Sequence, residues 1–299
     1  MLNGIINVYK ERGYTSHDVV AKVRGILRER RVGHTGTLDP EAEGVLPLCI
    51  GAATKVVPYL TDADKCYEAE VILGVTTTTE DATGEILETR PINVTNEQVE
   101  AVVASFIGDY EQIPPMYSAI KVNGVRLYEL ARKGIVVERP KRQVKIYNCE
   151  IVSPLHKNKF KIRVYCSKGT YIRTLCTDIG EKLGCGAHMG TLLRTQVGHY
   201  YLANSLKLHE LEAVKENITQ YMEDLETIFG DLPKCKIKAN MEKLLYNGNS
   251  LRLTAVENFE EAYKENFIRL YNTKGEFIAL YKWDGKKNCL QVERMFLNM

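Results

Sequence analysis

The chain reads as an α+β protein, a large mixed unit followed by a small one built of strands. Three observations predict this. Capping signals at Thr15 and Thr95 open stretches of helical periodicity, and these alternate with short runs of period-two hydrophobicity, clearest from Phe160 to Cys166. From about Lys234 the texture changes to short apolar runs separated by hairpin signals. Between the first helix and the next apolar run lies a stiff segment, 31–47, that holds Gly33, Gly36, Gly44, Pro40 and Pro47. With 299 residues the chain can bury the core of one large domain, or of a large domain and a small one.

Taken in order, Gly4 to Val8 reads as a short strand. Thr15-Ser16-His17-Asp18 has the form of a capping box, and Val19, Val20, Val23, Ile26 and Leu27 follow at helical spacing, which predicts a helix to about Arg30. Its end carries Arg24, Arg28, Arg30 and Arg31. Cations there suit the helix dipole, and they also stand next to segment 31–47, where they could meet phosphates. Within that segment Asp39 precedes Pro40, which pushes it toward an extended backbone. Gly, Pro and Asp alone favour an ordinary turn. A stiff loop presenting one carboxylate is also a place for chemistry.

After a short helix led by residues 51–55, a strand is expected from Tyr67 to Val75. Residues 76–84 are polar and turn-like, and 85–89 return antiparallel. By itself Tyr67 reads as a core or edge aromatic. Thr95-x-x-Gln98 caps a helix carrying Val99, Val102, Val103, Phe106 and Ile107, with Gly108 as its stop. The next stretch, about 113–143, gathers Lys121, Arg126, Arg132, Lys133, Arg139, Lys141 and Arg142 around Tyr117 and Tyr128. That is either a solvated charged loop or a surface where cations neutralise phosphates and aromatics stack on bases.

Phe160, Ile162, Val164 and Cys166 alternate with polar neighbours and mark a half-buried strand. After the turn 167–170, Ile172, Leu175, Ile179 and Leu183 mark one face of a helix that ends at Gly184. Arg173 sits in its first turn, where a cation opposes the dipole unless a carboxylate compensates. At the C-terminal end, strands at 267–271, 277–281 and 290–292 are separated by Asn272-Thr273-Lys274-Gly275 and Asp284-Gly285. They read as a small β-barrel appendage.

Composition narrows the classes. Hydrophobic content of 44% and charged content of 26% describe a soluble globular protein. A net charge of +2 means that any nucleic-acid surface must come from local clustering. No segment approaches the ~18 apolar residues of a membrane span. The start of the chain lacks the pattern of a signal peptide, so a cytoplasmic protein is expected. Eight cysteines without a CxxC pair fit reduced thiols. Cys176, Cys185 and His188 match no zinc spacing, so no metal is expected.

Gly33-His34-Thr35-Gly36-Thr37-Leu38-Asp39-Pro40 closely resembles the catalytic loop of the bacterial tRNA pseudouridine-55 synthases, the TruB family. Three further stretches are similar to that family: Asp64-Lys65-Cys66-Tyr67, Ile113 to Arg132, and Lys168-Gly169-Thr170-Tyr171-Ile172-Arg173-Thr174-Leu175. Gly184 to His188 and Leu192 to Thr195 continue the match, so the resemblance spans roughly residues 1–230. One departure is Lys10-Glu11-Arg12-Gly13, where the family usually has Lys-Pro-x-Gly. The turn is then less fixed, and Lys10 is given no role.

The resemblance implies the pseudouridine synthase fold, a mixed and largely antiparallel sheet flanked by helices, over residues 1–230. It implies an RNA-clamping insertion at about 113–143 and a PUA-like RNA-binding domain over 231–299. It also implies a base-flipping isomerase acting on uridine 55 of the tRNA T loop, with no cofactor. Asp39 is implied as the essential carboxylate, acting at C1′ or deprotonating an intermediate at the sugar. Arg173 would pair with Asp39 and lower its pKa by about 1–3 units. Tyr67 would stack on the uracil, Tyr171 and Leu192 would line the pocket, and His34 would fill the space left by the flipped nucleotide. Arg194, Lys121 and Arg126 would hold the tRNA backbone. A stand-alone monomer is expected. A guide-RNA-dependent synthase is disfavoured because guided relatives lack the insertion. A binding factor that has lost catalysis is disfavoured by the intact Asp39, Tyr67 and Arg173.

Overall fold

The computed structural model describes residues 2–297. Its spine is a ten-stranded sheet. Strand β1 (Gly4–Lys10) pairs antiparallel with β3 (Glu43–Ile50), and the short β2 (Val32–His34) also pairs with β3. Beyond them come β4 (Lys65–Leu73), β5 (Gly108–Gln112), β6 (Arg142–His156), β7 (Lys159–Cys166) and β8 (Ala187–Val197). The order across the sheet is β1-β3-β8-β4-β7-β6-β5, with a two-residue strand, Met222–Glu223, outside β1. Every pairing is antiparallel except β3 with β8, which run parallel where Arg194 faces Gly44.

That parallel contact depends on a glycine. Gly44 has φ +110, and a Cβ there would lie 2.2 Å from the Arg194 carbonyl oxygen. Only a residue without a side chain lets the two backbones approach this closely.

The longer helices pack on the sheet, and the short helix Val57–Thr61 places Leu60 in a separate cluster with Ile5, Val45 and Cys49. Helix α1 (Ser16–Leu27) opens with the expected capping box, in which Thr15 and Asp18 satisfy each other's backbone N–H groups. It stops at Leu27, the last residue of its apolar spacing, rather than at about Arg30, because Arg28 turns left-handed with φ 50 and closes the helix. Val19, Val20 and Val23 pack on Ile6, Val8, Leu46 and Leu48 of the sheet. Helix α2 (Asn96–Ala104) has the second capping box, with Thr95 and Gln98. It ends before Gly108, which instead begins β5. Helix α4 (Ile172–Lys182) follows a short helix, α3 (Leu127–Ala131), of the 113–143 region. Leu175, Cys176 and Ile179 of α4 meet Val71, Phe160, Ile162 and Val164 in the largest cluster of buried side chains.

Residues 86–89 return antiparallel, but to the short strand Val75–Thr77 rather than to β4. The C-terminal strands form a sheet of five. Phe267–Tyr271, Phe277–Asp284 and Cys289–Met295 make the two expected hairpins. Lys234–Ile237 adds on parallel, and Val256–Glu257 lies outside it, so the strand path among the described residues is open at both edges. This sheet does not stand apart. Phe229, Leu280 and Phe296 share a buried cluster with Ile5, Val45, Cys49 and Tyr200. No helix among the described residues is long and apolar enough to cross a membrane.

Candidate active site

Residues 35–42 form a loop between β2 and β3, and its backbone is tied down along its length. Thr35 donates both its N–H and its hydroxyl to the Pro47 carbonyl, at 3.2 and 3.1 Å. The Leu38 N–H donates to Ser16 Oγ at 2.9 Å. Gly13 N–H donates to the Pro40 carbonyl at 2.9 Å, and Ala42 N–H to the Asp39 carbonyl at 3.1 Å. Lys10 is wholly buried, and its ammonium donates to the carbonyls of Pro40 (3.1 Å) and Ala42 (2.5 Å). Burial pushes the Lys10 pKa down to about 8, against the nearby carboxylates of Glu43 and Asp39, which favour its charge. The sequence left Lys10 without a role; here it braces the strand side of the loop.

What this frame presents is Asp39. Its Oδ2 lies 3.2 Å from Nε of Arg173, at the start of α4. The Arg173 side chain is only 7% exposed, so its charge requires partners. It has four: Asp39, Asp81 at 3.6 Å, the Thr79 carbonyl at 3.1 Å and the Tyr117 carbonyl at 2.8 Å. The carboxylate that offsets a cation at this helix N-terminus is thus a pair of carboxylates. Asp81 was not singled out from sequence. Its other oxygen accepts from Thr79 Oγ1 (2.6 Å), Thr83 Oγ1 (2.6 Å) and Thr83 N–H (2.9 Å). The signal was the density of Thr and Asp in a segment that read only as a turn.

The expected fall in the Asp39 pKa is corrected. Burial pushes its carboxyl above the ordinary carboxylate range; Arg173 pulls it back, Asp81 pushes it further up, and the net direction is upward. The side chain nevertheless keeps 42% of its surface open, so it is held at the mouth of the site rather than sealed inside.

Tyr67 stands on β4 opposite Arg194 of β8. Burial raises the pKa of its phenol, with Arg194 opposing and the Asp39 charge adding to the rise. The phenol therefore stays protonated near neutral pH. Arg194 requires a second correction. It was expected on the tRNA backbone, yet it is 1% exposed. Its guanidinium donates to the carbonyls of Val45 (2.7 Å) and Gly36 (3.3 Å) and lies against Tyr67. It ties β3, the Asp39 loop and Tyr67 together, and no phosphate reaches it.

The other expected residues fall into two groups. His34, at the end of β2, meets His17 of α1 edge-on with ring centres 5.1 Å apart, and its Nδ1 accepts from Gly36 N–H at 3.4 Å. Burial, then His17 and Arg194, lower its pKa, which favours the neutral ring. Tyr171 is half-buried, and its backbone N–H and carbonyl both bond the buried Gln112 side chain, at 2.9 Å each. Leu192, also half-buried, faces Ala69 and borders the main core. Lys121 and Arg126 lie elsewhere, on an exposed hairpin of the 113–143 region, where Arg126 donates to the Tyr128 hydroxyl at 2.9 Å. The two parts are joined through the Tyr117 carbonyl on Arg173. His188 turns its Nδ1 to the Val75 carbonyl at 2.8 Å.

The whole fold is similar to that of a chain solved as a Cbf5-Nop10-Gar1 complex, with a TM-score of 0.71 and 28% identity over 98% of this chain and 85% of that one. A chain from an H/ACA RNP bound to a substrate RNA containing 2′-deoxyuridine matches with a TM-score of 0.69 and 26% identity, over 98% and 85%. Residues 24–172 match the model of the TruB family pseudouridylate synthase N-terminal domain, and 173–231 match that of the tRNA pseudouridylate synthase B C-terminal domain. Fold and family models together define a pseudouridine synthase, an isomerase. Proteins named tRNA pseudouridine synthase B are similar end to end. That of Lachnoclostridium phytofermentans is 50% identical over 99% of this chain and all of its own. That of Bacillus subtilis is 45% identical over 99% and 98%. The chain belongs to the TruB family.

Proposed function

We propose that this chain isomerises uridine 55 in the T loop of tRNA to pseudouridine, by itself and without a guide RNA. The observation that carries the reading is the Asp39–Arg173 pair at 3.2 Å, set in a braced loop beside Tyr67. The end-to-end likeness to proteins named for action on tRNA supports the substrate.

The reaction breaks the bond from ribose C1′ to N1 of uracil, turns the base and joins C5 to C1′. N1 gains a proton and C5 loses one to solvent, so the product is an isomer and no electrons are exchanged. Ionised Asp39 attacks C1′ or removes a proton at the sugar. Partial burial makes its carboxylate more basic than an open one, while Arg173 holds its orientation. Tyr67 stacks on the uracil, and Tyr171 and Leu192 wall the pocket that retains the freed base. His34 fills the gap in the RNA stack, offsetting an unstacking cost of a few kcal/mol. Lys121 and Arg126, exposed on the 113–143 insertion, grip the T arm.

In this reading residues 1–230 are the synthase domain, and 231–299 are a PUA-like RNA-binding domain. The protein works as a cytoplasmic monomer. The guided alternative is favoured by the fold likeness to Cbf5 and H/ACA chains and opposed by the insertion. The experiment is tritium release from tRNA carrying 5-tritiated uridine, with no guide RNA present. Release by the wild type, lost in Asp39→Asn, supports the proposal. No release despite bound tRNA would favour a guided or binding-only protein.

A further inference from the structure

We propose that the first turn of α1 belongs to the catalytic machinery, with Ser16 a positioning residue for Asp39. The inference rests on the reading of Asp39 as the essential carboxylate.

Ser16 is the first residue of α1, but it does not cap the helix; Thr15 does, accepting from Asp18 N–H. The Ser16 hydroxyl is therefore free for another task. It lies 1% exposed and bonds the backbone of Leu38 in both senses. Leu38 N–H donates to Oγ at 2.9 Å, and Oγ–H faces the Leu38 carbonyl at 3.4 Å. That carbonyl belongs to the peptide linking Leu38 to Asp39. The hydroxyl thus holds Leu38 from both sides, by a short bond to its N–H and a longer contact to the peptide that leads into Asp39. On the C-terminal side, Pro40 restricts the Asp39 backbone, and its carbonyl is held by Gly13 and Lys10. Asp39 is clamped between two independently anchored peptides, and its carboxylate then meets Arg173.

The next residue of the same turn has a parallel role. His17 places its ring edge-on to His34, at the other end of the loop. One helical turn, rooted in the core by Val19, Val20 and Val23, therefore touches the loop at both His34 and Leu38. A carboxylate acting at a sugar carbon must hold its geometry closely, and a displacement of about 1 Å is enough to cost roughly a hundredfold in rate.

The test compares Ser16→Ala, Ser16→Thr and Asp39→Asn in the full-length protein with intact tRNA. Single-turnover rate, tRNA dissociation constant and melting temperature are measured for each. Ser16→Ala is expected to lose roughly tenfold to a hundredfold in rate with tRNA affinity unchanged, and Ser16→Thr, which keeps the hydroxyl, to recover most of it. Ser16→Ala turning over at the wild-type rate would overturn the inference. So would a rate loss that disappears well below the melting temperature, since it would reflect unfolding alone. Turnover by Asp39→Asn would instead remove the reading of Asp39, whatever Ser16 does.

Discussion

In the proposed reaction Asp39 carries two opposing demands, basicity and a charge that the fold only partly tolerates. Its raised pKa means that the folded state prefers the protonated carboxyl. That preference stabilises the fold below the unfolded pKa of about 3.9 and is lost as pH rises through the higher folded value. Asp39→Asn, a neutral mimic, is therefore expected to abolish pseudouridine formation, to retain tRNA binding and to melt no lower than wild type at neutral pH. The stability difference should close as the pH is lowered; calorimetry across pH reads it. It will be small, because the side chain is partly open to water. The same shift predicts an acidic limb in kcat/KM lying above the ordinary carboxylate range. Arg194 calls for a different outcome. Arg194→Ala removes donors from the Val45 and Gly36 carbonyls and is expected to cost about 2 kcal/mol or more of stability, measured by denaturant unfolding. If the variant kept full stability but bound tRNA with a shallower salt dependence, the backbone-contact reading would return.

At the level of elements, starts were legible and some ends were not. Both capping boxes formed where Thr15 and Thr95 placed them, since a cap is an exchange among neighbours in the chain. The apolar spacing of α1 ends at Leu27 with the helix, but the expected end at about Arg30 overshot it, because Arg28 adopts a left-handed turn that its residue type does not announce. The short strand 86–89 was legible, but its partner was not, because pairing is chosen by what lies beside it in space. The 113–143 region, read as an insertion that grips tRNA, carries its own prediction. Lys121→Ala and Arg126→Ala should each weaken tRNA binding and reduce the slope of log affinity against log salt by about one, leaving the rate at saturating tRNA unchanged. A salt titration of binding separates this from loss of the fold.

For the whole molecule, the C-terminal sheet shares a buried apolar cluster with the ten-stranded sheet. Leu280 and Phe296 pack with Phe229 over Val45 and Cys49 of β3, the strand that leaves the Asp39 loop. Truncation after residue 230 is therefore expected to lower the melting temperature and expose apolar surface to dye binding, rather than to release an independent synthase domain. A truncated protein that melts like the full chain would show that the shared cluster carries little weight.

Sequence alone determined what neighbours decide: the caps, the alternation of β7, the C-terminal hairpin turns and the stiffness of the Asp39 loop. It also marked Arg173 as a cation in need of a carboxylate, because the dipole at a helix start is a local fact. Tertiary structure decided the rest. Arg194 and Val45, separated by 149 positions in sequence, meet because β3 and β8 run side by side at Gly44. That meeting turned a surface cation into a buried tie. Tertiary packing elsewhere brought Asp81 to Arg173 and Ser16 to Leu38, and burial raised the Asp39 pKa where pairing alone would lower it. Burial and the sum of nearby charges set those outcomes, and both depend on segments that the chain order keeps far apart.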